Sequence, residues 1–159
     1  MIEAREKTLH GDSAITAAVS RGVCRHLIAQ GKAPIVEFSL GNGRRADVAA
    51  IDDKGRITIV EIKVSVSDFR GDGKWQSYLE YCDEFFFAVP HTFPLALLDE
   101  AQVKPETTGV IVADKYDAVI VRSAAQASLA SARRKAESLR FARKAALRLH
   151  SVLDPDFAG

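Results

Sequence analysis

The stretch Arg56-Ile57-Thr58-Ile59-Val60-Glu61-Ile62-Lys63-Val64-Ser65-Val66 reads as a β-strand carrying charge in the middle of an apolar run. Side chains alternate between the two faces of a strand. One face therefore holds Thr58, Val60, Ile62 and Val64, and the other holds Ile57, Ile59, Glu61, Lys63 and Ser65. Both faces begin apolar, which is the pattern of a central strand covered on each side. Glu61 and Lys63 then interrupt one face, where a charge is costly unless it is paired or bound to a metal.

Working outward, the preceding strand shows the same anomaly. Ala46-Asp47-Val48-Ala49-Ala50-Ile51 is apolar except for Asp47. Gly41-Asn42-Gly43 and Asp52-Asp53-Lys54-Gly55 carry the residues that tight hairpin turns favour. They predict three antiparallel strands, Pro34 to Leu40, Arg45 to Ile51 and Arg56 to Val66, which puts Asp47 on a strand beside Glu61. Two carboxylates there suit one Mg²⁺ or Mn²⁺ ion, with Glu37 on the first strand as a candidate further ligand. The competing reading is an ion pair of Lys63 with Asp47 or Glu61 that fixes strand register. One lysine facing up to three acids leaves an excess of negative charge, so a cation site is the favoured reading.

The remaining elements are predicted by periodicity and punctuation. Ile15, Val19, Val23 and Leu27 repeat as on a helix over 14–30, with Ser13 as its N-cap and Gly31 as its stop. Beyond Gly71-Asp72-Gly73 the sequence predicts a helix from Lys74 to Cys82, a strand over Phe85 to Val89 and a short helix from Leu95 to Glu100. A strand pair follows, Gly109 to Ala113 and Ala118 to Arg122, and then a helix over 125–153. The order αβββαβ(α)ββα makes one α/β domain over 1–159, with a mixed sheet covered on both faces. Asp68 and Asp72 read as cap or turn residues, and Trp75 as a packing residue.

Composition sets limits. The 159 residues are 47% hydrophobic and 27% charged with a net charge of +1, so any nucleic-acid surface must come from uneven distribution of charge. No apolar run approaches the roughly 18 residues of a membrane span. The opening MIEAREKTLHGD lacks an apolar signal segment, and a cytoplasmic location is expected. Cys24 and Cys82 form no CxxC pair, which excludes a disulfide framework or zinc knuckle. His10, His26, His91 and His150 show no ligand spacing. The last helix is strongly basic, with Arg133, Arg134, Lys135, Arg140, Arg143, Lys144 and Arg148 against a single acid, Glu137. Leu129, Ala132, Ala136, Leu139, Ala146, Leu149 and Leu153 form the stripe expected to dock it. Arg133, Arg140, Lys144 and Arg148 fall on another face, available to phosphates.

Asp47, thirteen residues, then Glu61-Ile62-Lys63 resembles the signature of PD-(D/E)XK nucleases, with Ala46 where that signature often has proline. A resemblance covering most of the chain lies in Gly43-Arg44-Arg45-Ala46-Asp47, Val60 to Arg70, Lys74-Trp75, Tyr81-Cys82-Asp83, Ala132 to Lys135 and Leu139 to Ala142. These segments are similar to the MmcB-type family of DNA-repair putative endonucleases. The resemblance implies a restriction-endonuclease-like core and metal-dependent hydrolysis of DNA phosphodiesters in repair. It implies that Asp47, Glu61 and the backbone carbonyl of Ile62 hold Mg²⁺ or Mn²⁺, and that Lys63 orients the attacking water or neutralises developing charge. Around this set, Ser65, Lys74, Gln76, Tyr78, Arg45, Arg140, Lys144 and Arg148 are the expected substrate-binding residues. Gln76 and Tyr81 are similar to the Q-x-x-x-Y helix of RecB-like nucleases, one residue longer in spacing. DNA is the expected partner, with a homodimer and other repair proteins as further candidates. A nuclease-like module that binds DNA without cutting it, or an adaptor, is the alternative.

Overall fold

The computed structural model describes residues 2–157, and side chains over 11–157, so His10 lies outside the described side chains. Six strands form one sheet in sequence order: β1 (Ala33–Ser39), β2 (Arg45–Ile51), β3 (Ile57–Ile62), β4 (Glu84–Val89), β5 (Gly109–Ala113) and β6 (Ala118–Arg122). β1, β2 and β3 form the expected antiparallel meander, β3, β4 and β5 run parallel, and β6 returns antiparallel. Parallel neighbours need a crossover. The crossover from β3 to β4 runs through helix α2 (Val66–Gly71) and a 3₁₀ segment (Trp75–Tyr81). That from β4 to β5 runs through 3₁₀ turns at Leu95–Asp99 and Ala101–Val103.

β3 and β4 are mostly apolar, interrupted by Thr58, Glu61 and Glu84, because both faces are covered. Helix α1 (Ile2–Ala29) lays Val19, Val23 and Leu27 on one face, against Val48, Val60, Ile62, Phe86 and Ile111. It approaches closely at Gly22, where a Cβ would stand 1.9 Å from the Asp114 carbonyl oxygen, so any side chain there would push α1 off the sheet. The other face carries an aromatic core of Phe38, Trp75, Tyr78, Phe85, Phe87 and Phe93. The mixed α/β fold expected from the sequence is what the chain adopts, and its strand order is consistent with a nuclease-like core. Among the described residues no helix is long and apolar enough to cross a membrane.

Several boundaries differ from expectation. α1 extends back to Ile2, which places Ser13 inside the helix instead of at its cap, while Gly31 (φ +78°) does end it. The third strand stops at Ile62, and Ser65 caps α2, its Oγ accepting from the Asp68 N–H at 3.2 Å. The last helix, α3, spans Ser131–Leu153, preceded by an extended segment over 123–130.

The docking face of α3 is the larger correction. Leu139, Leu149 and Leu153 of the expected stripe are 57%, 60% and 74% exposed. The helix docks through polar anchors instead. Glu137 Oε1 accepts from the Gly41 N–H (3.1 Å), Arg134 bonds the buried Asp83, and Phe141 packs on Phe38. The surface it meets presents donors and a carboxylate, so apolar periodicity pointed to the wrong face.

Candidate functional site

Asp47 and Glu61 meet where β2 and β3 part. Main-chain pairing of these strands runs from Ile51↔Ile57 to Val48↔Val60 and stops there. One residue further, the two acids take over as acceptors. Asp47 Oδ2 accepts from the Ile62 N–H at 2.7 Å, and Glu61 Oε1 accepts from the Asp47 N–H at 3.1 Å. Each carboxylate thus spends one oxygen on the neighbouring backbone. Among the described residues no protein donor reaches the other oxygen of either acid, and neither oxygen is sealed from solvent.

Burial of these acids is electrostatically unfavourable. Glu61 is 5% exposed. Burial, reinforced by the charge on Asp47, pushes its carboxyl up to about 8. Burial also holds Asp47 above the usual carboxylate range, only partly offset by the Ile62 hydrogen bond and the Lys63 charge. With no matching cation, a proton substitutes for one.

Lys63 lies on the same face but has another partner. Its Nζ stands 2.9 Å from Asp72 Oδ2. Asp72 caps the C-terminal end of α2, accepts from the Lys74 N–H (3.1 Å), and has Arg44 at 3.9 Å. Burial alone would depress the Lys63 ammonium. The hydrogen bond and charge of Asp72, with Asp68 and Glu61 adding, outweigh burial and hold Lys63 above its ordinary value. The competing reading, an ion pair of Lys63 with Asp47 or Glu61, is therefore not what forms. Sequence reasoning treated Asp72 as a turn residue, and no spacing rule links it to Lys63. The capping pattern Ser65-Val66-Ser67-Asp68 was the one signal for the helix that positions it.

The remaining expected residues separate into distinct environments. Glu37, in a left-handed conformation (φ +50°) on edge strand β1, is 64% exposed in its side chain and pairs with Arg45 at 3.9 Å. Among the described residues it does not join the two acids in a cluster that could hold a metal. The Ile62 N–H faces Asp47. Tyr78 is buried and its Oη donates to the Arg45 carbonyl (2.8 Å), so it is a packing residue and does not reach outward for phosphate. The Ser65 hydroxyl is occupied as a cap. Lys74 and Gln76 are exposed, and Gln76 lines a cavity that Lys63 also lines. Arg148 donates to the carbonyls of Val36 and Glu37 (2.9 Å for the latter), covering the exposed edge of β1. Arg140 stands 3.6 Å from the buried Glu137. Arg140, Arg143 and Lys144 line a groove with Phe38, Ser39 and Leu147.

The donor set bears on a metal. Among the described residues no three acids, histidines or cysteines converge closely enough to hold an ion alone. A divalent cation here would rest on two carboxylates and complete its shell with water and substrate oxygens, as Mg²⁺ commonly does. Two adjacent carboxylates, Glu61 buried and Asp47 half-buried, each with an unengaged hard oxygen, fit that ion.

The family model described as DNA repair protein MmcB-like matches residues 4–156. Among solved structures, the SPO1766 protein of unknown function from Silicibacter pomeroyi is similar at 45% identity and a TM-score of 0.82, covering 89% of this chain and 93% of that one. No curated protein matches. Matching essentially end to end, the chain belongs to the MmcB-like family of DNA repair proteins.

Proposed function

We propose that this protein is a Mg²⁺- or Mn²⁺-dependent nuclease that hydrolyses DNA phosphodiesters in repair. The observation that carries the reading is the pair Asp47 and Glu61: adjacent, the first half-buried and the second buried, both raised in pKa, and each left with a free oxygen beside Lys63. These two side chains would hold the cation, with the Ile62 carbonyl as a further ligand. The bound ion would lower the pKa of a water and neutralise charge on the phosphate oxygens. Lys63, held charged by Asp72, is suited to stabilise negative charge developing on the phosphate and poorly suited to accept a proton. Asp72 is a positioning residue, aiming Lys63 while Arg44 balances its charge. The groove lined by Arg140, Arg143 and Lys144 offers sequence-independent phosphate contacts that orient the duplex.

One observation favours a second reading, a DNA-binding module without catalysis: both acids already serve as backbone acceptors and so have a use without metal. The deciding experiment is a nuclease assay with Mg²⁺ or Mn²⁺ across paired, single-stranded, branched and mismatched DNA. Glu61→Gln, which keeps the acceptor for the Asp47 N–H, and Lys63→Ala are each expected to lower cleavage by about 10²-fold or more. DNA binding with no cleavage under any metal would establish the module.

A further inference from the structure

Beside Lys63 and Asp72 the molecule opens into a cavity of about 290 Å³ that the metal-site reading does not use. Its floor is aromatic and apolar: Phe69, Trp75, Phe87 and Val103, the last three buried. Its rim is polar and accessible, with the carboxamides of Gln76 and Gln102 and an Arg70–Glu100 pair at 3.7 Å. Gln102 also donates to Glu100, which links it to Arg70 across the rim. A guest that fits must present flat apolar faces to the floor. It must offer donors and acceptors at its edge, matching carboxamides that carry both. Next to Lys63 it must tolerate or supply negative charge. A nucleotide has all three properties. The volume lies at the lower end of small-molecule pockets, about 300–1,000 Å³, and is ample for one base.

We propose that this cavity receives a single unpaired nucleobase of the DNA substrate, whose adjoining phosphate lies at Lys63. This rests on the nuclease reading only for the identity of that phosphate as the scissile one. A fully paired duplex keeps its bases stacked and cannot fill the cavity without extruding one, which costs least at a bulge, mismatch or single-stranded end. The substrate class is therefore DNA with an unpaired base at the cleavage point.

Trp75 supplies the probe, being the chain's one tryptophan and only 6% exposed on the cavity floor. The intact protein with Ca²⁺, which fills oxygen sites, is titrated with a paired duplex and with the same duplex carrying a one-nucleotide bulge. Trp75 emission and anisotropy of labelled DNA are both read. The bulged duplex is expected to bind about tenfold tighter, the scale of one base stacked on aromatic side chains, and to quench Trp75 where the paired duplex does not. Gln102→Phe, at an exposed position, fills the cavity from its rim and should remove both the preference and the quench. Phe69→Leu keeps an apolar wall without a stacking ring and should weaken the preference part-way. Equal affinity for paired and bulged DNA, or a preference that survives Gln102→Phe, overturns the proposal. Cleavage of the bulged duplex in Mg²⁺ is scored separately. Bulge preference without cleavage supports the base pocket and defeats the nuclease reading alone, and cleavage without preference does the reverse.

Discussion

The two ends of β3 both carry buried acids, and they are treated in opposite ways. At its start, Asp83 accepts from the Ile57 N–H (2.7 Å) and the Leu129 N–H (3.1 Å) and forms a two-pronged pair with Arg134 (2.8 and 2.5 Å). Burial there would raise its carboxyl, but Arg134 and the two amides outweigh it and hold Asp83 down at about 2. At the other end, Asp47 and Glu61 each have one backbone donor, the nearest lysine belongs to Asp72, and Glu61 rises to about 8. Asp83 and Glu61 both lie almost closed to solvent, at 2% and 5% exposure, with Asp47 half-buried beside Glu61. The difference is whether the protein itself supplies the positive charge. A fully matched acid, such as Asp83, fixes β3, the 123–130 segment and α3 together. An acid left unmatched has capacity for something the chain does not contain.

The largest expected effect comes from breaking the matched end. Asp83→Asn leaves Arg134 without its counter-charge and places an amide where two donors already converge. Removing one partner of such a pair should cost about 3 kcal/mol, lowering the melting temperature by roughly 10 °C. Wild-type stability should also fall as pH drops from the usual carboxylate range toward about 2, because the depressed Asp83 carboxyl contributes only while ionised. The variant should lack that acid limb. A variant that melts like wild type would remove the contrast between the two ends.

Neutralising the unmatched end should act in the opposite direction. The fold favours protonated Glu61, so its contribution is fullest at low pH and is lost as pH rises from the ordinary glutamate value through about 8. Metal-free wild type should therefore lose stability over that window. Glu61→Gln, retaining the acceptor for the Asp47 N–H, should flatten the slope and melt higher at pH 8 by an amount equivalent to about 1 kcal/mol. Mg²⁺ should restore wild type at pH 8 and leave Glu61→Gln unchanged. Asp47→Asn should behave likewise, its amide oxygen still serving the Ile62 N–H. Thermal melts across pH with and without Mg²⁺ measure all of this. Lower stability of either variant in the absence of metal would make both acids structural after all.

How much of this was legible depends on which physical rule each region obeys. The faces of β3 followed from strand alternation, and the adjacency of Asp47 to Glu61 followed from glycine-marked turns, because period and turn chemistry are local. Asp72 was not legible, since its contact with Lys63 is made by a six-residue helix whose axis no pattern specifies. Its N-cap signature, Ser65 to Asp68, lay in the sequence but was masked by Val64 and Val66, which extend the apolar run of the strand. α3 failed for a different reason. Periodicity finds the apolar face and assumes that it is buried, whereas Arg134, Glu137 and Arg148 bind donors, acceptors and carbonyls of the sheet.

The same distinction between matched and unmatched charge sorts the basic residues of α3 and gives the smallest effect. Arg134 is bound to Asp83, Arg133 stands 3.4 Å from Glu80, and Arg148 covers β1 carbonyls. Arg143 and Lys144 line the groove beside Phe38 and have no carboxylate within ion-pair distance among the described residues. If unmatched charge marks a ligand surface here, as proposed for Glu61, these two contact phosphate. The pair Arg143→Gln and Lys144→Gln should lower affinity for all DNA sequences alike and reduce the salt slope by about two counterions. Stability should stay within about 0.5 kcal/mol, as for exposed substitutions elsewhere. Arg148→Gln should do the reverse, costing about 1 kcal/mol of stability through its lost carbonyl bonds while leaving the salt slope unchanged. A salt slope that responds to Arg148 and not to the pair would place the DNA on the β1 edge. The groove's unmatched charge would then be solvated surface and no ligand site.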